Sequence, residues 1–123
     1  YSFYDHLKDF FNRKPAWGIC AGAILLSKGN MYFNQLDIEI QRNAYGPQIN
    51  SFSSEIKNYE VGFIRAPRIN KCERGVNIIA SYEKSPVWIE NNKHMATTFH
   101  PEVNNSYPSP FHQYFIEKVK VFL

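Results

Sequence analysis

Hydrophobic positions recur along the chain in two rhythms, and the changes between them mark the elements. Tyr1, Tyr4, Leu7, Phe10 and Phe11 lie three or four apart with Asp5, Lys8 and Asp9 between them. This is the spacing of an amphipathic helix ending near Arg13-Lys14-Pro15, with its aromatic face expected in the core. Ala16 to Ile19 is a short apolar segment behind a proline, and Ala21 to Lys28 has helix-forming composition, so this stretch reads strand, turn, helix with Cys20 on the turn. Leu36-Asp37-Ile38-Glu39-Ile40 alternates apolar and acidic residues like a half-buried strand, and Val61 to Ile64 and Val76 to Tyr82 also read as strands. The polar segment from Arg42 to Phe52, with Gly46-Pro47 inside it, predicts a loop. Val87-Trp88-Ile89 and Met95 to Phe99 predict two strands of a hairpin across Asn91-Asn92. Phe111, Tyr114, Phe115, Val119 and Phe122 predict a C-terminal amphipathic helix, with Lys118 and Lys120 near its end, where cations suit the helix dipole.

Composition narrows what such elements can build. With 123 residues, 44% of them hydrophobic, the chain is long enough for one domain with a core, 1–123, and too short for two. The formal net charge is only +3, and the basic residues are scattered among acidic ones, so no nucleic-acid surface is suggested. Cys20 and Cys72 are far apart, with no C-x-x-C or finger spacing, which indicates neither a zinc site nor a disulfide framework and fits a reducing, cytoplasmic setting. The longest apolar stretch, Ala21 to Leu26, is far short of a membrane span. The sequence opens at Tyr1, without methionine and inside a predicted helix, so any targeting signal is expected upstream of it.

Chemistry enters at Gly18-Ile19-Cys20-Ala21-Gly22, which has the G-x-nucleophile-x-G form of a nucleophile elbow. A sharp strand-to-helix turn strains the backbone at the nucleophile, and any side chain on the flanking glycines is expected to collide with neighbouring backbone. The turn also puts Cys20 at a helix N-terminus, where free N–H groups are expected to favour thiolate, and it aims the Ala21 N–H at a developing oxyanion. Taken alone, the pentapeptide fits a buried structural cysteine between packing glycines equally well.

A nucleophilic thiol needs a base, and the base needs an orienting partner. Phe99-His100-Pro101-Glu102, at the end of a predicted strand, offers both: in extended backbone residues i and i+2 face one side, so Glu102 could hold one ring nitrogen of His100 while the other faces the thiol. The remaining histidines, His6, His94 and His112, read as ordinary hydrogen-bonded core or surface residues.

The elbow followed by His100-Pro101-Glu102 resembles class I glutamine amidotransferases, which release ammonia from glutamine through a Cys-His-Glu triad. Arg42-Asn43-Ala44-Tyr45-Gly46-Pro47-Gln48 with Ser51-Phe52, then Phe63-Ile64-Arg65-Ala66-Pro67, and the tail around Gln113-Tyr114-Phe115 are similar to motifs of the glutaminase subunits of pyridoxal 5′-phosphate synthases. The matches run from Pro15 onward in one order. The resemblance implies an α/β, flavodoxin-like three-layer fold with a mixed central sheet, and L-glutamine as substrate. It implies Cys20 as nucleophile, His100 as proton relay, Glu102 as the group that orients it, and Ala21 as an oxyanion donor. It also implies Arg42, Ile64 and Arg65 as glutamine contacts. Without it, these last three read as a surface arginine and a strand end. No cofactor or metal is implied, nor any nucleic acid or membrane. The partner implied is the barrel-shaped synthase subunit, in a hetero-oligomeric complex that takes up the ammonia for vitamin B6 biosynthesis.

The sequence departs from that pattern in places. Only 19 residues precede Cys20, without the first sheet strand or the Gly-Gly-Glu-Ser stretch that supplies part of the family's oxyanion and glutamine sites, so a chain incomplete at its N-terminus is expected, poorly stable and nearly inactive by itself. Pro47 stands where the family commonly has arginine, and Ile19 where it commonly has threonine. Two alternatives accompany the main reading. One is the glutaminase subunit of another amidotransferase, such as imidazole glycerol phosphate synthase, which the Arg42 to Phe52 motif disfavours. The other is a non-catalytic binding module derived from the family.

Overall fold

The structure, a computed structural model, describes residues 2–42, 52–103 and 105–122. Helix α1, Phe3–Arg13, begins at Ser2, whose hydroxyl accepts the Asp5 N–H while the Asp5 carboxylate accepts the Ser2 N–H, so two otherwise orphaned donors are satisfied reciprocally. It stops where Lys14 turns extended ahead of Pro15. The expectation of an aromatic face in the core holds only in part: Phe11 packs on the core and Tyr4 stacks on Phe33, but Phe3 and Phe10 face solvent and no α1 residue is fully buried.

Strand β1 (Trp17–Ile19) and helix α2 (Ala21–Leu26) follow, with Cys20 between them. Next come β2 (Ile38–Gln41), β3 (Phe52–Ile56), β4 (Tyr59–Phe63), β5 (Arg68–Cys72), β6 (Asn77–Tyr82), β7 (Ser85–Glu90) and β8 (Met95–Thr97). A 3-10 turn, Pro101–Val103, leads towards helix α3, Pro110–Phe122. The central sheet runs β1-β8-β7-β6, with β1 parallel to β8 and the other pairs antiparallel, so it is mixed as expected. Two further antiparallel pairs, β2 with β5 and β3 with β4, stand apart from it.

Two of these strands, β3 and β5, lie where the sequence pattern announces none. The β3–β4 hairpin turns through Lys57-Asn58, both at positive φ (53° and 70°), and the β6–β7 hairpin through Glu83-Lys84, likewise at 47° and 67°. Positive φ at both central residues matches the right-handed twist of flanking strands. These turns are made without glycine, so their sequence carries little warning. Of the predicted Arg42–Phe52 loop, Phe52 opens β3 instead, while the motif residues from Asn43 to Ser51, Pro47 included, lie outside the described residues.

The core divides across the central sheet. Ile56, Val61 and Phe63 of the β3–β4 hairpin, Phe111 of α3, and Trp88 and Met95 of the sheet form one buried cluster. Ala23 and Leu26 of α2, Leu36, Ile38 and Ile69 of the β2–β5 region, and Ile89 and Ala96 form the other. Neighbours Met95 and Ala96 on β8 fall into different clusters, because successive side chains of a strand point to opposite faces. The segment bearing Cys20 thus belongs to one layer and the hairpin carrying β4 to the other, and the parallel pair β1 and β8 lies between them.

Candidate active site

Cys20 occupies φ 56°, ψ −106°, a strained conformation for a residue with a side chain. Its backbone is held from both sides: the Cys20 N–H donates to the Thr97 carbonyl at the end of β8 (2.8 Å), and the Cys20 carbonyl accepts the Ala23 N–H (3.0 Å). The thiol makes no cap bond to its own helix, and donates instead to the Ile64 carbonyl just beyond β4, at 3.8 Å.

The two elbow glycines prove unequal. A Cβ on Gly18 would fall 2.5 Å from the carbonyl carbon and oxygen of Gly22 and 2.8 Å from the Ala23 nitrogen, so the strand and the first helical turn touch backbone to backbone. A Cβ on Gly22 would meet no described atom within 4 Å, against the expectation that both flanks are crowded. The close approach is one-sided because α2 leaves the turn with the Gly22 carbonyl, not its Cα, over the strand.

A cleft of about 260 Å³ opens beside the thiol, lined by Cys20, Ala21, Ile24, Arg42, Arg65 and Pro67. Arg65 itself sits at φ 48°. Two guanidinium-bearing residues at one small cleft suit a carboxylate-bearing ligand, for which paired charge-assisted hydrogen bonds are available.

The thiol does not behave as the helix N-terminus alone suggests. Burial pushes the Cys20 thiol up from its ordinary value, the Ala21 N–H pulls it down, and the negative charge of Glu102 raises it again. Desolvation of a thiolate outweighs the pull of a helix only six residues long, which corrects the expectation of a resting thiolate.

His100 and Glu102 are joined as expected, Nδ1 to Oε2 at 2.7 Å, but by other means. Strand β8 ends at Thr97, and Glu102 lies in the 3-10 turn Pro101–Val103, so a tight turn and not an extended strand brings the carboxylate back to the ring. With the carboxylate ionised, Nδ1 carries the proton and donates, and Nε2 remains as an acceptor. His100 is further fixed through its backbone. Its N–H donates to the Gly62 carbonyl (2.7 Å) and its carbonyl accepts the Gly62 N–H (3.2 Å), an isolated bridge onto β4. Space beside Gly62 is tight: an added Cβ would stand 3.2 Å from Val103 Cβ. Its place inside the apolar run Val61-Gly62-Phe63 was the available signal, since a lone glycine in a strand often marks close backbone approach.

Cys20, Ala21, Arg42, Ile64, Arg65, His100 and Glu102 are thus connected through the cleft and β4. Cys20, Ala21, Arg42 and Arg65 line the cleft, Ile64 holds the thiol through its carbonyl, and the His100–Glu102 pair is fastened to the same strand that ends next to Ile64. The end of a parallel pair, beyond its carboxyl termini, is where open α/β sheets place their sites. His94 and His112 are engaged elsewhere in hydrogen bonds with Ala16 and Ser109. Among the described residues no group of three or more His, Cys, Asp or Glu is placed to hold a metal ion, and no helix is long and apolar enough to cross a membrane.

Comparison with known proteins bears on the family and the fold. The profile of the SNO glutamine amidotransferase family matches residues 1–121. The pyridoxal 5′-phosphate synthase subunit PdxT of Francisella tularensis subsp. tularensis (strain WY96-3418) is 41% identical over 120 residues, covering 94% of this chain and 66% of that protein. The PdxT of subsp. novicida (strain U112) gives the same figures. The chain thus spans 66% of the length of these relatives. Among solved structures, a glutamine amidotransferase superposes with TM-score 0.82 at 29% identity, over 98% of this chain and 69% of the other. A Thermoplasma acidophilum protein described as a "putative gmp synthase subunit a protein" superposes with TM-score 0.65 at 17% identity, over 97% of this chain and 65% of the other, a likeness of fold alone.

Proposed function

The chain belongs to the SNO glutamine amidotransferase family, and on that premise we propose that it hydrolyses L-glutamine to L-glutamate and ammonia and passes the ammonia to a pyridoxal 5′-phosphate synthase subunit. The observation that carries this reading is that one segment, Gly62 to Ile64, holds both a strained elbow cysteine and a carboxylate-oriented histidine.

Because burial pushes the Cys20 thiol up from its ordinary value, the first task falls to His100, whose Nε2 accepts the thiol proton as the sulfur attacks the side-chain carboxamide carbon. A C–S bond forms, and the negative charge that gathers on the carboxamide oxygen is met by the Ala21 N–H. Collapse breaks the C–N bond, and the proton held by His100 leaves with ammonia. Water then loses a proton to the same nitrogen and attacks the γ-glutamyl thioester, and cleavage of the C–S bond returns glutamate and the free thiol. Glu102 keeps the ring in the tautomer this sequence requires and stabilises the imidazolium formed twice within it. Arg42 is suited to the substrate α-carboxylate, with Ile64 and Arg65 completing the contacts through backbone groups. No step moves electrons between redox partners, so the chemistry calls for no cofactor on this chain.

The accepting partner is the barrel-shaped synthase subunit, in a hetero-oligomeric complex, by likeness to PdxT, which is named as a subunit of that synthase. The test measures glutamate release from glutamine by the full natural protein, with and without the synthase, for wild type and Cys20→Ala. Release that depends on the synthase and vanishes in Cys20→Ala is expected. A folded protein that releases no glutamate with its partner present overturns the reading and leaves a binding module.

A further inference from the structure

The carboxylate that orients His100 stands in an exposed position. Glu102 keeps 54% of its side chain accessible, and it rides on a three-residue 3-10 turn, a conformation with little stability of its own. Something must hold that turn if the 2.7 Å bond to the imidazole is to persist. The Gly62 bridge fixes His100 but ends one residue before the turn begins.

Asn105 closes this gap. Its Nδ2 donates one hydrogen to the Pro101 carbonyl, at 2.9 Å, and the other to the Glu60 carbonyl on β4, at 2.8 Å. Both partners are carbonyl oxygens, which settles the orientation of the amide and uses both of its donors. The side chain therefore staples the first residue of the Glu102 turn to the strand that already holds His100. It is not among the residues lining the cleft with Cys20, Arg42 and Arg65. We infer that Asn105 is a positioning residue of the reaction, holding the Glu102 carboxylate on the His100 ring by clamping the turn to β4. The inference rests on the glutaminase reading for its kinetic consequence, and on the hydrogen bonds alone for its structural one.

Two variants separate this role from general stability. Asn105→Ala removes the clamp, and Asn105→Asp keeps its shape while removing both donors, so the second remains informative if the first folds poorly. In the full natural protein with its synthase partner, each is expected to lower kcat for glutamate release about tenfold while KM stays within about twofold, because an interaction that aims the base is worth most in the transition state. In a Glu102→Gln background the same Asn105→Ala change is expected to cost less than about twofold, since it acts through a carboxylate no longer there. Unchanged kcat in both single variants, or the same loss in the Glu102→Gln background, overturns the inference. A second readout does not need turnover: the low-field proton resonance of His100 Nδ1–H, identified by its loss in His100→Ala, is expected in wild type and absent from folded Asn105→Asp. If the wild type releases no glutamate, the glutaminase reading fails, and this resonance alone decides the clamp. Its persistence in the folded Asn105 variants overturns the positioning role, and its loss supports it.

Discussion

At the scale of single residues, His94 shows how a side chain of ordinary appearance becomes a structural fixture. It is fully buried, its Nδ1 accepts the Ala16 N–H at 3.0 Å, and its Nε2 therefore donates to Gln35 Oε1 at 2.9 Å. Ala16 in turn accepts the Met95 N–H, so the neutral ring braces the point where β1 meets β8. Burial, helped by the positive charges of Lys93 and Lys118, lowers its pKa from 6.5 to about 4. A histidine titrating lower in the folded than in the unfolded chain gives stability that is present in full above pH 6.5, is lost as pH falls towards 4, and is gone below it. Between pH 7 and 4, wild type is expected to lose on the order of 3 kcal/mol more than His94→Gln, at about 1.36 kcal/mol per pKa unit. Urea denaturation of the two proteins at both pH values checks this. The sequence marks His94 only as an ordinary histidine, because nothing in its neighbours tells how deeply it is buried.

At the scale of elements, the elbow is the tightest joint in the molecule. Gly18→Ala forces a Cβ to within 2.5 Å of the Gly22 backbone, and backbone atoms cannot swing aside as a side-chain tip can. A loss of about 2 kcal/mol or more is expected, in the upper range for overpacking. Gly22→Ala has free space and a helical position, so it is expected to be neutral or to stabilise by up to about 1 kcal/mol. Thermal melts of the two variants side by side decide the matter, and equal losses would return both glycines to the same rank. The elbow was legible because its spacing is local. The crowding of one glycine and not the other was not, because it depends on the angle at which α2 leaves the strand.

At the scale of the whole molecule, β4 ties the site together. On the core side, Phe63 is fully buried, stacked on Phe52 with ring centroids 4.9 Å apart and edge-on to Phe99 at 5.8 Å. On the site side, the residues flanking it, Gly62 and Ile64, hold His100 and the Cys20 thiol. Phe63→Ala is expected to cost about 3–5 kcal/mol, as deletion of a buried aromatic ring does. Glutamate release should fall in the same variant even under conditions where it remains folded. Denaturant titration together with activity measured well below the transition tests both parts. A destabilised variant with undiminished kcat would show that the site does not depend on the seating of β4.

The short-range features of this protein follow from its amino-acid order alone: the ends of α1, the strand-turn-helix at Cys20, the β7–β8 hairpin and the proximity of His100 to Glu102. Each of these is written in residues a few positions apart, where propensity, capping and chain geometry act directly. The hold of one segment, Gly62 to Ile64, on both His100 and the Cys20 thiol is of another kind. Cys20 follows β1 and His100 follows β8, strands that pair Gly18 with Ala96 across most of the chain, and these contacts arise from the folded arrangement. So do the upward push of burial on the Cys20 thiol, the hold of Gly62 on His100 and of Asn105 on Pro101, and the strand conformation of β3 and β5. Those outcomes depend on burial and on backbone partners distant in sequence, and neither quantity exists until the chain has folded.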